Sequence, residues 1–121
     1  MPKNALHWFE IPAHDLLRAV RFYNRVLRLE MAATEMMGCP MALFPAAGGV
    51  GGALIEHAEA VPSQHGTLVY LDCGRDLAVA LGKVELAGGK IVAPKHSIGE
   101  HGYCAVFEDC EGNRVGLHSQ H

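Results

Sequence analysis

The sequence predicts an α+β domain of two βαβββ modules, curved into a mixed sheet around a cavity with helices on the outside. Three observations predict it. A β-branched or aromatic run leads into a helical stretch at the start of each half. In each half three short apolar runs follow, separated by Gly, Pro and Ala clusters. The 121 residues are 50% hydrophobic and 19% charged, enough apolar material for a buried core and too little charge for disorder. The duplicated order of elements puts module one at about 5–57 and module two at about 66–120, in a single domain spanning 1–121.

The first run, HWFEIP, reads as a strand closed by Pro12. Asp15 stands where a helix N-cap belongs, and Leu16, Ala19, Val20, Tyr23 and Leu27 recur on one face. That spacing predicts a helix over 15–27. Arg18, Arg21, Arg25 and Arg28 run along its other side as a solvated face. LRLEMAATE, MALFP and VGGALIE are the strands that follow, and HAEAVPSQHG is the connecting loop. In module two, TLVYLDC is a strand and Asp76 caps a helix whose apolar face is Leu77, Ala80, Leu81 and Val84. Gly88-Gly89 ends that helix, and GKIVAP, GYCAVFED and NRVGLHS complete the module. Neither module can protect its open sheet edges alone, so the two pair into one surface whose concave side suits a ligand.

Other classes of function find no support. A net charge of −3 supplies no attraction for nucleic acid or an anionic membrane. No apolar run approaches the roughly 18–20 residues that span a bilayer. MPKNALHWFEIP has neither the continuous apolar core nor the cleavage site of a signal peptide, so a cytoplasmic location is expected. Cys39, Cys73, Cys104 and Cys110 form no CxxC pair and are expected to be free thiols. GGVGG at 48–52 is followed by no Lys-Ser/Thr and is not a phosphate loop.

The stretches FEIPAHDLLRAVRFYNRVL, YLDCGRDLAVALGKVELAGGKI and AVFEDCEGNRVGL together resemble the vicinal oxygen chelate superfamily of glyoxalase, bleomycin-resistance and extradiol dioxygenase proteins, and in particular its small bacterial glyoxalase-like group. The resemblance implies a divalent metal held by residues from the first and last strand of each module. Carried onto this chain, those positions fall on Trp8, near Glu56, on Leu68 or its neighbour Thr67, and on Gly116. Only Glu56 offers a usual ligand. No cofactor is therefore expected. The alternative is one divalent ion (Zn, Ni, Mn or Fe) held by His7, Glu56 and His118 after a register shift.

Alternation along the strands assigns the rest of the site. Phe9, Ile11 and Ala13 pack under the helix and leave Trp8, Glu10 and Pro12 on the cavity side. Val69, Leu71 and Cys73 likewise leave Tyr70 and Asp72, and Val115 and Leu117 leave His118. With Tyr103 and Phe107, which share a face, the expected ligand-binding set is Trp8, Glu10, Tyr70, Asp72, Tyr103, Phe107 and His118. Glu10, read as a buried carboxylate of raised pKa, and His101, on a loop, are the candidates for proton transfer. The expected function is binding of a small organic ligand in a cup-shaped cavity without the catalytic metal. The alternatives are a metal-dependent lyase or isomerase of the lactoylglutathione lyase type, and a metal-free enzyme using Glu10 or His101. A homodimer is expected, with a small molecule as the only other partner.

Overall fold

The structure is a computed structural model that describes residues 4–121. It is α+β, with two four-stranded mixed sheets that repeat one topology. The first contains β1 (Trp8–Pro12), β2 (Ala33–Met36), β3 (Cys39–Phe44) and β4 (Gly51–Ile55), in the order β1-β4-β3-β2. The second contains β5 (Tyr70–Asp72), β6 (Lys90–Ser97), β7 (Tyr103–Glu108) and β8 (Arg114–Ser119), in the order β5-β8-β7-β6. In each, the first strand pairs parallel with the last, and the remaining pairs are antiparallel. Among the described residues no ladder joins the sheets, so they are not closed into one. Pro12 of β1 borders a common groove with Thr67 and Val69, which lie just before β5.

The helix α1 (Leu16–Leu27) begins where Asp15 accepts a hydrogen bond from the Arg18 amide at 3.2 Å and ends at Arg28, which takes the left-handed conformation at φ 57°. It buries Leu16, Ala19, Val20, Phe22, Tyr23 and Val26. These reach both modules. The Tyr23 ring lies 5.6 Å from Phe44 of β3 and 6.3 Å from Phe107 of β7, and Phe22 lies 5.9 Å from Phe107. One apolar core therefore serves the helix-bearing side of both sheets. Phe9 packs into it because Gly52, its partner on β4, has no side chain: a Cβ there would lie 2.5 Å from the Phe9 ring.

The turn Asp109–Asn113 between β7 and β8 locks module two onto module one. Buried Asp109 accepts from Tyr23 Oη at 2.6 Å, from the amides of Glu111 and Asn113 at 2.9 Å each, and from Asn113 Nδ2 at 3.0 Å. Asn113 Nδ2 also donates to the Pro12 carbonyl at 2.7 Å. Glu111 accepts from the Asp15 amide at 2.8 Å and from Nε and a terminal nitrogen of Arg18. The helix dipole and the Arg18 charge both favour a carboxylate here. Arg18 therefore leaves the expected solvated stripe and becomes a tie between modules.

Three elements differ from the expected layout. The strand expected over LRLEMAATE starts only at Ala33 and runs one residue past the segment to Met36, because Asn24 holds Met31 as a helix cap: its side chain accepts from the Met31 amide at 2.8 Å and donates to the Met31 carbonyl at 3.0 Å. The expected helix after Asp76 is two single turns, α2 (Ala78–Leu81) and α3 (Val84–Ala87), separated at Gly82 and Lys83. Leu77, Ala80, Leu81 and Val84 are buried as expected. Last, β6 runs past Pro94 to Ser97 with two register shifts, since proline has no amide to donate to the ladder.

Candidate functional site

With α1 and the core on one side, the opposite face of each sheet is open. On β1 that face carries Trp8 and Glu10, both exposed. On the second sheet the register settles its composition. Tyr70 stands beside Gly116 and Asp72 beside His118, while His118 and Gly116 stand beside Cys104 and Val106 of β7. Paired residues share a face. The result is a depression of about 680 Å³ lined by Tyr70, Asp72, Ile98, Cys104, His118 and Gln120.

Two features shape it. Gly116 lets the Tyr70 ring lie flat across β8: a Cβ on Gly116 would come within 2.3 Å of Tyr70 Cδ2. His118 Nε2 lies 2.6 Å from the His101 carbonyl oxygen. A carbonyl only accepts, so Nε2 carries the proton of that bond. This hydrogen bond fixes the 3-10 turn Gly99–His101 against β8, at the rim of the depression. The chemistry on offer is an aromatic wall, a thiol, a carboxylate and an imidazole committed at one nitrogen.

The expected site residues do not all gather there. Tyr70, Asp72 and His118 do. Trp8 is on the open face of the other sheet, 44% exposed, with its Nε1 3.4 Å from Glu10 Oε2. Glu10 is exposed, not the buried carboxylate expected, and borders the groove with Thr67, Val69 and Arg114. The His101 ring is exposed, 3.9 Å from Glu100, and only its carbonyl reaches the site. Phe107 is fully buried against Phe22 and Tyr23, so it is a core residue and not part of the open face. Tyr103 shares its side, packed against the core with Lys95 Nζ 4.7 Å above its ring.

The alternative metal set does not assemble either. Glu56 Oε1 accepts from the Leu16 amide at 2.8 Å, which turns the carboxylate to the helix terminus. His7 is exposed and precedes β1. Among the described residues no three His, Cys, Asp or Glu side chains are placed to hold a metal ion. Trp8, Leu68 and Gly116 bring no ligand atom to the positions named by resemblance, and Thr67, the neighbour of Leu68, offers only a hydroxyl, so the residues at these positions fit a divalent ion poorly.

Cys104 and Gln120 line the depression outside the expected set, and Ile98 lines it from the stretch HSIGEHGY, whose residues the sequence already places at the cavity. A signal for Cys104 existed: pairing β7 with β8 across the EGN turn places Phe107 beside Val115, a packing residue, and Cys104 beside His118. The chain also has no helix, among the described residues, long and apolar enough to cross a membrane.

Comparison with known proteins places this geometry. The model of the Glyoxalase/Bleomycin resistance protein/Dioxygenase superfamily matches residues 5–117. No curated protein sequence matches the chain. Among solved structures, a glyoxylase/bleomycin resistance protein/dioxygenase domain from Frankia sp. EAN1pec is similar at a TM-score of 0.73, with 17% identity over 100% of this chain and 94% of the other. The fosfomycin resistance protein FosX from Listeria monocytogenes gives 0.67, with 14% identity over 98% and 92%. A glyoxalase I mutant from Zea mays gives 0.69, with 20% identity over 95% of this chain and 46% of that one. The chain belongs to the Glyoxalase/Bleomycin resistance protein/Dioxygenase superfamily.

Proposed function

We propose that the protein binds a small, partly planar organic ligand on the open face of the second sheet, without the divalent metal used by enzymes of the superfamily. The observation that carries this reading is the depression walled by Tyr70, Ile98, Cys104 and His118. Its volume lies within the range of about 300–1,000 Å³ that small-molecule sites occupy. An aromatic face with a few polar groups at its edge favours a flat ligand that accepts or donates one or two hydrogen bonds. The Glu56 carboxylate is engaged by α1, which supports a metal-free reading.

The working unit in this reading is a homodimer in the cytoplasm. Trp8, Met36 and Leu43 of the first sheet are 44%, 50% and 44% exposed, an apolar surface that association would cover. Sedimentation velocity checks this, and a monomer at micromolar concentration would refute it.

Two measurements test the site. Elemental analysis is made of untagged protein after exposure to Zn, Ni, Mn, Co and Fe(II) and desalting. The expected result is no stoichiometric metal. Retention that is lost in Glu56→Ala or His118→Ala would instead establish the metallolyase. A thermal-shift screen of small aromatic and carbonyl compounds is then run with and without a chelator. Hits that the chelator leaves unchanged and that Tyr70→Ala abolishes are expected.

A further inference from the structure

A second cavity, of about 380 Å³, lies at the seam between the modules on the side of the sheets that bears the helices. Its walls are apolar: Phe9, Leu27, Phe44, Leu71, Val79 and Ala80, contributed by both modules. Leu71 faces it from the opposite side of β5 to Tyr70, and Asp72, at the end of β5, is the one residue that borders both this cavity and the open-face depression.

Arg28, Lys83, Asp72 and Asp76 bring charge to this cavity. The two carboxylates are already engaged. Asp76 Oδ1 accepts from Lys95 Nζ at 2.8 Å and from the Ala78 amide at 2.9 Å, and Asp72 Oδ1 accepts from the Gly74 amide at 2.8 Å. The two cations are not: among the described residues the ion pairs are Arg18–Glu111, Lys95–Asp76 and His101–Glu100, and none includes Arg28 or Lys83. Arg28 moreover occupies the left-handed helix cap at φ 57°, a position that favours glycine, so the backbone gives no reason for an arginine there.

We propose that this cavity binds a small monocarboxylic acid, with its apolar body between the aromatic and aliphatic walls and its carboxylate at Arg28 and Lys83. A neutral hydrocarbon would leave both cations unanswered, and a polyanion would meet the Asp72 and Asp76 charges as well. The volume, near the lower end of small-molecule sites, selects a medium-chain or single-ring acid.

Octanoate is the probe, titrated by calorimetry and followed by amide chemical shifts. Saturable one-site binding is expected, with shifts at Leu27, Leu71 and Ala80. Lys83→Gln should weaken it by about tenfold, the effect of losing one charge-assisted hydrogen bond. Arg28→Gly should weaken it similarly while Tm holds or rises, since glycine suits the backbone there; lost binding could then not be ascribed to unfolding. Octanol should bind about tenfold less tightly than octanoate. Equal affinity for octanol, unchanged affinity in both variants, no saturation at millimolar concentration, or shifts confined to Tyr70, Cys104 and His118 would each overturn the proposal. The last of these would assign octanoate to the open face instead.

Discussion

At Gly116 the absence of a side chain decides the form of the open face. Gly116→Ala places a methyl group where the Tyr70 ring lies, with 2.3 Å between Cβ and Cδ2, and the ring must swing off β8. The expected cost is about 1–3 kcal/mol of stability, near the low end because Tyr70 is 47% exposed and can move. Ligand binding at the open face should fall further than stability does, which parallel denaturant and binding titrations would separate. The thiols differ among themselves. Burial, with the Asp72 charge beside it, pushes Cys73 up to about 11. Burial, then a hydrogen bond and charge from Glu111, push Cys110 up to about 12. Both should resist iodoacetamide at pH 8 in the native protein and react on unfolding, as mass spectrometry of the labelled peptides would show. At this scale alternation read β1, β5 and β8 correctly, since Ile11, Leu71, Val115 and Leu117 are buried. It paired Tyr103 with Phe107 on one face but did not settle which way that face looks, because a run such as YCAVF is apolar on both faces and only the hairpin register distinguishes them.

The element on which most constraints converge is α1. Its first turn is capped from three directions: Asp15 bonds the Arg18 amide, Glu111 the Asp15 amide and Glu56 the Leu16 amide. The sequence displays only the first of these, since a local N-cap is a pattern of spacing while the other two acceptors lie 96 and 40 residues away. For the same reason Glu56 looks like a metal ligand in one dimension and is a cap in three. Glu56→Gln should cost about 0.5–2 kcal/mol of stability. It should leave metal content and open-face ligand affinity as in the parent. A loss of metal together with affinity would return Glu56 to the role that resemblance implies. The broken helix after Asp76 is an element-scale effect too: Leu77, Ala80 and Val84 supply a helical face, but Gly82 between them weakens a single continuous run.

Across the whole molecule, one shared core and one polar lock hold two modules whose sheets are not joined by a ladder. The repeat of strand, helix and three strands was legible because each element's apolar period is local. The lock was legible only as the motif DCEGN, whose partners Tyr23, Arg18 and Pro12 belong to the other module. Its acid response follows from Glu111. Burial alone would raise this carboxyl, but the hydrogen bonds from Arg18, the Asp15 amide and Cys110, with the Arg18 charge, outweigh it and hold the group at about 2 against an ordinary 4.5. The Glu111 bond in turn keeps the Arg18 guanidinium firmly charged. A folded-state value below the unfolded one means that the contribution is fully present above pH 4.5 and is lost as pH falls from there towards 2. The loss is on the order of 2 kcal/mol, reduced from the full linkage value because the Arg18 side chain is 48% exposed. Because α1 and the core belong to both modules, acid should unfold them together, with near- and far-ultraviolet circular dichroism giving one coincident transition. Glu111→Gln should be less stable at pH 7 and should lose less stability between pH 4.5 and 2 than the parent protein, a flattening readable from urea midpoints at each pH. Parallel stability curves for the two proteins across that interval would show that the Glu111–Arg18 lock does not govern the acid response.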